Sequence, residues 1–400
     1  MKYITILGDG MADEPIEALG GKTPIEAAVT PTLDRLAPVS ELGLAATIPE
    51  GMKPGSDTAN LAVLGYDPKI YYTGRSPLEA LSIGVDMKSD DIAMRCNIVT
   101  LSEEDVPYEE RTILDHSSDE ISTEDAAVLI EAVREAFETE EYRFYVGTSY
   151  RHLLIWAKGE VKELTPPHDI LTRRIGDYLP EDEVLREMMK KSYDILNHHP
   201  LNEKRAKEGK NKANSLWFWG AGTRPALSSF LEKTGKKGTM ISAVDLLKGI
   251  AVGAGMQNAE VPGANGGLHT NYEGKAEAAV KALLEDGSDF VYVHVEAPDE
   301  MGHQGSVERK VQAIEYLDQR LIRIVTEKLD AAGEPYRLLV MPDHPTPIRC
   351  RTHVADPVPY LLYDSRKPEG KGLLYSEANA KATGIFIENG YRIMDRLLEL

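Results

Sequence analysis

Cysteine is almost missing from this 400-residue chain: Cys96 and Cys350 are the only two, so no disulfide framework holds the protein together. No apolar run is long enough to span a bilayer. The first such run, Tyr3-Ile-Thr-Ile-Leu7, breaks at Gly8-Asp9-Gly10, too early for the core of a secretory leader. Positive charge is short as well. Lys and Arg number 45 against 65 Asp and Glu, a formal net charge of −20 that repels phosphate backbones and argues against nucleic acid as a partner. An anionic substrate must therefore be met by a local cluster of Arg and metal working against the overall field. Nucleotide motifs are lacking too. Gly21-Lys22-Thr23 looks like the end of a Walker loop, but that motif requires Gly where Ile16 stands. Gly8-Asp9-Gly10 opens like a dinucleotide fingerprint, yet Asp13 occupies its sixth position, so neither ATP nor NAD is implied. What remains, at 42% hydrophobic and 28% charged, is the composition of a soluble globular protein, for which a cytoplasmic enzyme with no membrane partner is the default expectation.

Residues 1–85 and 235–400 alternate strand-like and helix-like segments, the pattern of an α/β sheet with helices on both faces. Thr23-Pro24-Ile25-Glu26 predicts a capping box with Pro at the first helical position, and Thr30-Pro31 repeats the start. Val307, Val311, Ile314, Leu317, Leu321 and Val325 recur at three and four residues, one apolar helix face packed on the sheet. Residues 86–234 differ. A strand at Asp91–Val99 leads to a helix capped at Ser122 that carries Ala126, Leu129, Ile130, Val133 and Phe137. A hairpin over Tyr142–Val146 and Arg151–Ala157 follows, then Leu216-Trp-Phe-Trp219. That order predicts an inserted α+β domain.

Metal-ligand donors gather behind the strand-like runs. Asp343-His344 is followed after eight intervening residues by His353, and Asp299-x-x-x-His303 lies upstream. Phe290–Val295 precedes one group and Tyr336–Met341 the other, and ligand sites in open α/β sheets lie beyond the carboxyl ends of strands. These side chains suit borderline or hard divalent cations, and there are enough for two ions. Asp9 ends the first strand between two glycines; by itself it reads as a turn aspartate, and it becomes a ligand candidate through its company. Ser56, in Pro54-Gly-Ser-Asp-Thr-Ala-Asn-Leu61, sits at a helix start and has two readings. One is an ordinary N-cap. The other is a nucleophile beside free backbone N–H groups that would hold a phosphoryl group, with a metal supplying the deprotonation that no adjacent base provides. His294, inside a strand, reads as buried rather than ligating.

Gly8-Asp9-Gly10-Met11, Pro54-Gly55-Ser56-Asp57, Asp299-x-x-Gly-His303, and Asp343-His344 with His353 together resemble the cofactor-independent phosphoglycerate mutases, in their archaeal-type branch. Gly65-Tyr66-Asp67-Pro68, the block from Tyr72 to Ala80, and Ser149-Tyr150-Arg151-His152 add to the resemblance, which covers nearly the whole chain. It implies an alkaline-phosphatase-like core with an inserted substrate-binding domain. By motif, Asp9, Ser56, Asp343 and His344 would hold one divalent ion (Mn, Zn, Mg or Co), and Asp299, His303 and His353 a second. Ser56 would be the nucleophile of a 3-phosphoglycerate to 2-phosphoglycerate interconversion through phosphoserine, with no bisphosphoglycerate. The partner would be a small phosphorylated metabolite, and self-association into a homo-oligomer stays open.

On the inserted domain, Arg151, His152 and Arg224 are candidates for binding substrate and Asp169 for acting on the glycerate hydroxyls; a solvated loop charge is the other reading of each. Lys248 would assist phosphoryl transfer or cap a helix end. Closure of that domain would exclude water. Gly-Arg-Ser-Pro at residues 74–77, where the archaeal branch has Gly-Arg-Gly-Pro, resembles a bacterial variant proposed to phosphorylate homoserine. A homoserine-kinase-like phosphotransferase and a metal-dependent phosphatase are therefore the rival expectations.

Overall fold

The computed structural model describes residues 1–400, which separate into two compact units. One comprises Met1–Tyr72 and Ala226–Leu400, the other Thr73–Pro225. The boundaries expected at 85/86 and 234/235 thus fall at 72/73 and 225/226. The reason is the helix Arg75–Ser82, whose Glu79 receives hydrogen bonds from Arg95 and whose Ser76 donates to the Gly220 carbonyl, both inside the second unit.

Strands β1 (Lys2–Gly8) and β2 (Glu41–Ala45) belong to the first unit. The second contributes β3 (Ile92–Leu101), β4 (Ile113–Asp115), β5 (Tyr142–Thr148), β6 (Arg151–Trp156) and β7 (Ser215–Thr223). The chain then returns to the first unit with β8 (Gly238–Ile241), β9 (Gln257–Asn258), β10 (Phe290–Val295), β11 (Tyr336–Met341), β12 (Val358–Asp364) and β13 (Phe386–Ile387).

The first unit is built on an eight-stranded sheet in the order β13-β2-β12-β11-β1-β10-β8-β9. β1 lies between β10 and β11 and is parallel to both, with Gly8 level with Val295 and Leu7 with Met341. Their carboxyl ends therefore finish together. β12 is antiparallel to β11 and to β2, so β2 points the same way as β1 and its following loop leaves from the same edge. β10 is buried throughout and β11 nearly so, which is why both read as continuous apolar runs: a parallel strand covered on both faces has no polar side.

The Thr23 capping box forms as the pattern predicts, with the hydroxyl accepting from the Glu26 N–H. A second helix, Pro31–Leu36, does start at Thr30-Pro31, but the Thr30 side chain makes no capping bond. Asp318, wholly buried more than 280 residues away, accepts instead from the N–H groups of Thr32 and Leu33. Asp318 opens a π-helical segment, Asp318–Ile322, within an otherwise α-helical run from Val307 to Ala331. Ile314, Leu317, Leu321 and Val325 are buried along its inner face, as their spacing requires.

In the second unit β3 pairs antiparallel with β4, β6 and β7, and β5 pairs with β6. The helix Thr123–Phe137 starts at Ser122, whose hydroxyl accepts from the Asp125 N–H. Leu129, Ile130 and Val133 join Met189 and Leu196 of the helix Glu183–Asn197 in one apolar cluster with β3. No helix of the chain is long and apolar enough to cross a membrane.

One buried charge pair ties the loops of the first unit together. Lys310 Nζ, with no solvent exposure, donates to Asp13 Oδ2 (2.9 Å), the Thr346 carbonyl (2.8 Å) and the Ala12 carbonyl (3.3 Å). Lys310→Met strands the Asp13 carboxylate and should cost about 3–5 kcal/mol. Urea denaturation measures it, and the double variant with Asp13→Asn should recover part of the loss.

Candidate functional site

Four chain segments leave the same edge of the core sheet and carry donors into one place. Asp9 follows β1, Ser56 opens the helix Ser56–Val63 beyond β2, Asp299 and His303 lie on the helix Ala297–His303 after β10, and Asp343, His344 and His353 follow β11. Gly55, not Ser56, is the N-cap residue of the Ser56 helix, so the Ser56 hydroxyl is free of a capping role. It lies 3.0 Å from His344 Nε2 and 3.4 Å from Asp9 Oδ2. His344 Nε2 is also 3.5 Å from Asp9 Oδ1 and 3.4 Å from Asp343 Oδ2. Beside this group, His303 Nε2 is 3.1 Å from Asp299 Oδ2 and 3.0 Å from His353 Nε2, which is 3.5 Å from Asp299 Oδ1. Four donors around a tetrahedral ion at 2.0–2.2 Å stand about 3.3–3.6 Å apart, close to these spacings. Asp9-Asp343-His344 and Asp299-His344-His353 are each compact enough to hold an ion, with His344 common to both.

The electrostatics call for a cation. Asp9, Asp299 and Asp343 are 2%, 5% and 0% exposed, and their polar partners are imidazoles, amides and hydroxyls, with no lysine or arginine among them. Asp9 Oδ1 has no hydrogen-bond partner at all. Burial, with Asp343 and Asp299 nearby, pushes the Asp9 carboxyl well above its usual range. Burial pushes Asp299 the same way, but hydrogen bonds from His303 and His353 outweigh it and hold that carboxyl well below. An orphaned carboxylate oxygen among bare ring nitrogens fits a divalent ion.

The surrounding residues aim these donors. His303 Nδ1 lies 2.9 Å from the Arg351 carbonyl, to which it donates, leaving Nε2 for the site. His294 is buried in β10, as its position in a strand suggests, and its Nε2–H donates to Asp9 Oδ2 at 2.9 Å while Nδ1 accepts from Ser242. Burial lowers its pKa to about 3, so this is a neutral hydrogen bond rather than an ion pair. Asn60 Nδ2 donates to Asp343 Oδ2 (2.9 Å) and to the Ser56 carbonyl (2.8 Å), and its Oδ1 accepts from Tyr292 (2.5 Å). Sequence reasoning missed Asn60, Tyr292 and Thr346. Two left a signal: Asn60 stands one turn after Ser56 on the same helix face, and Tyr292 shares a strand face with His294. Thr346 left none.

The other expected residues fare differently. Lys248 does not touch the ligand cluster in this structure; its ammonium is held by both oxygens of Glu260 at 3.0 Å. Arg151, Asp169 and Arg224 are exposed on the second unit, Arg151 over the Tyr150 ring and Asp169 beside His168. His152 is not a surface group. It is 1% exposed on the helix-covered side of the sheet, its Nδ1 accepts from the Gly147 N–H, and burial lowers its pKa to about 3. Ser76, the departure within the Gly-Arg-Ser-Pro block, is wholly buried with its hydroxyl on the Gly220 carbonyl, a packing role inside the second unit.

A family model described as 2,3-bisphosphoglycerate-independent phosphoglycerate mutase matches residues 37–202. A Geobacter sulfurreducens protein named as a probable enzyme of that type is 47% identical over 405 residues, covering 100% of both chains. A Methanosarcina barkeri enzyme of the same name is 50% identical over 388 residues, covering 95% of each. Among solved structures, a Pyrococcus horikoshii protein superposes with a TM-score of 0.82 at 30% identity, covering 100% of this chain and 98% of that one. A cofactor-independent phosphoglycerate mutase from Thermoplasma acidophilum gives 0.65 at 29%, covering 100% and 99%.

Two outcomes are expected of the site. His303 is raised to about 9, chiefly by its hydrogen bond to Asp299, above an ordinary 6.5. In metal-free protein that pair therefore adds stability that is complete below the ordinary value and lost as pH rises through the folded one. An ion must displace the proton, so metal uptake should release protons and tighten between those two pH values; calorimetry in buffers of different ionisation enthalpy reads both, and a flat affinity would contradict the assignment. Gly10 has φ +60°, and a Cβ there would lie 2.5 Å from Asp299 Oδ1 and from Thr346 Oγ1. Gly10→Ala should weaken metal binding at least tenfold, roughly the low end of what a lost supporting contact costs, with equilibrium dialysis as the check.

Proposed function

The chain belongs to the 2,3-bisphosphoglycerate-independent phosphoglycerate mutases, a metal-dependent family that interconverts 3-phosphoglycerate and 2-phosphoglycerate, and we propose that it does so by passing the phosphoryl group through Ser56. The observation that carries this reading is the Ser56 hydroxyl, free of a capping role, 3.0 Å from His344 Nε2 among buried carboxylates with no lysine or arginine among their direct partners.

Two divalent ions, Mn, Zn, Mg or Co, would be held by Asp9, Ser56, Asp343 and His344 and by Asp299, His303 and His353. When bound they supply the lowered hydroxyl pKa and the countercharge that phosphoryl transfer needs. Ser56 Oγ forms the new bond to phosphorus as the bond to the glycerate oxygen breaks, giving phosphoserine and glycerate. The glycerate then presents its other hydroxyl, and the same exchange runs backward. Ser56 is suited to this by position as well as by chemistry: at the first turn of an eight-residue helix, backbone N–H groups face a bound phosphoryl group and the helix dipole favours its charge.

In the same reading Arg151 and Arg224 hold the substrate carboxylate and Asp169 its hydroxyls, and the second unit serves to keep water from the phosphoserine. His152, buried, and Lys248, engaged by Glu260, are left out of that set. The substrate is a charged metabolite that does not cross membranes unaided, so the reaction is placed in the cytoplasm.

Metal-reconstituted protein given 3-phosphoglycerate should form 2-phosphoglycerate without added bisphosphoglycerate. Ser56→Ala should lose at least a thousandfold in kcat, as about 4 kcal/mol of barrier corresponds to, and should yield no phosphoenzyme by mass spectrometry. Homoserine-dependent ADP release without isomerisation would overturn the substrate assignment. Inorganic phosphate outpacing the isomer would make the protein a phosphatase, and turnover by the Ser56→Ala protein would remove Ser56 from its role.

A further inference from the structure

Thr346 is wholly buried two residues beyond His344, and three ligand-bearing segments converge on it. Its hydroxyl donates to Asp299 Oδ1 and lies 3.3 Å from His344 Nδ1. Two glycines on other segments make room for it. A Cβ on Gly10, next to Asp9, would fall 2.5 Å from Thr346 Oγ1, and one on Gly302, next to His303, would fall 2.6 Å from the Thr346 carbonyl oxygen and 2.9 Å from its Cγ2. Lys310 holds the same carbonyl from below at 2.8 Å. Ordinary loop packing does not ask for two glycines and a buried lysine around one threonine.

The hydrogen-bond inventory makes the arrangement directional. A threonine hydroxyl has one proton and two lone pairs, and an ionised carboxylate only accepts. With the proton committed to Asp299, the hydroxyl can do nothing but accept from His344. Nδ1 must then carry the hydrogen, an orientation the Pro345 carbonyl, 3.4 Å from the same nitrogen, also favours. Nε2 is left bare toward Ser56, Asp9 and Asp343. We propose that Thr346 is a positioning residue that couples the two metal half-sites, holding Asp299 of one and setting the ring tautomer of His344 of the other through a single hydroxyl. This rests on the ligand assignment above. It adds that the pair of sites is organised before metal arrives and that disturbing one half disturbs the other.

The test compares wild type, Thr346→Val, which keeps the shape and removes the hydroxyl, and Thr346→Ser, which restores it. Metal-free proteins are titrated with Mn²⁺ by calorimetry, and the His344 ring nitrogens are followed by ¹⁵N NMR, assigned by their loss in His344→Asn. Metal-free wild type should show a single Nδ1–H tautomer, a measurement that needs no variant to fold; Nε2–H there would overturn the proposal. Thr346→Val should bind Mn²⁺ roughly 10–100-fold more weakly at both sites and show mixed tautomers, while Thr346→Ser returns both readings toward wild type. Unchanged affinity at both sites in Thr346→Val, or loss confined to one, would overturn the coupling alone. Wild type that takes up no Mn²⁺ would instead sink the ligand assignment on which the coupling stands.

Discussion

Three carboxylates, Asp9, Asp299 and Asp343, are buried at the ends of three parallel strands with no lysine or arginine among their hydrogen-bond or ion-pair partners. Burying an ion costs several kcal/mol even after relaxation, and a whole domain is stable by only about 5–15 kcal/mol. Three such groups cannot be tolerated unless each is hydrogen-bonded and the cluster is met by positive charge. Much of the first unit can be understood as the answer to that requirement: the Gly10 and His344 N–H groups and Asn60 on Asp343, His294 on Asp9, and Thr346, His303 and His353 on Asp299. What these donors leave only partly compensated is the charge itself, which a bound cation would offset.

The sheet explains why the cluster can exist. Three adjacent parallel strands end level with one another, so residues hundreds of positions apart in the chain leave the fold side by side. The strands are buried on both faces, and the loops beyond them are tied down by Lys310, Thr346 and the Met11–Pro345 bridge. Rigid elements presenting donors from their ends position them more closely than free loops could. The Ser56 helix joins from the same edge, and Asn60 fastens it to Asp343, so the proposed nucleophile and a candidate metal ligand are held by one amide.

The second unit follows a different logic. Its sheet is antiparallel, with the helices Thr123–Phe137 and Glu183–Asn197 on one face and the helix Arg75–Ser82 on the other, and of the site candidates there Arg151, Asp169 and Arg224 are exposed while His152 is buried. His152 shows how alternation decides such cases. Arg151 and His152 are neighbours in sequence, yet a strand sends them to opposite faces, and only Arg151 remains accessible.

A good part of this was legible in the chain itself. Donors placed after apolar strand-like runs point to a common place because parallel strands finish at a common edge, and Asp9, Asp299, His303, Asp343 and His344 gather there, joined by Ser56 from a helix start and by His353 from the loop after β11. Local hydrogen-bonding patterns were equally readable where both partners are close in sequence, as at Thr23 and Ser122. Tertiary structure decided the rest. That Asp318 caps the Thr30 helix in place of Thr30, that Asn60 reaches Asp343, that Thr346 touches Asp299 and that Lys248 is engaged by Glu260 all follow from how elements pack. The physical reason is that a hydrogen bond requires two atoms within about 3 Å, and for partners a dozen to hundreds of residues apart no periodicity or spacing in the chain encodes that distance.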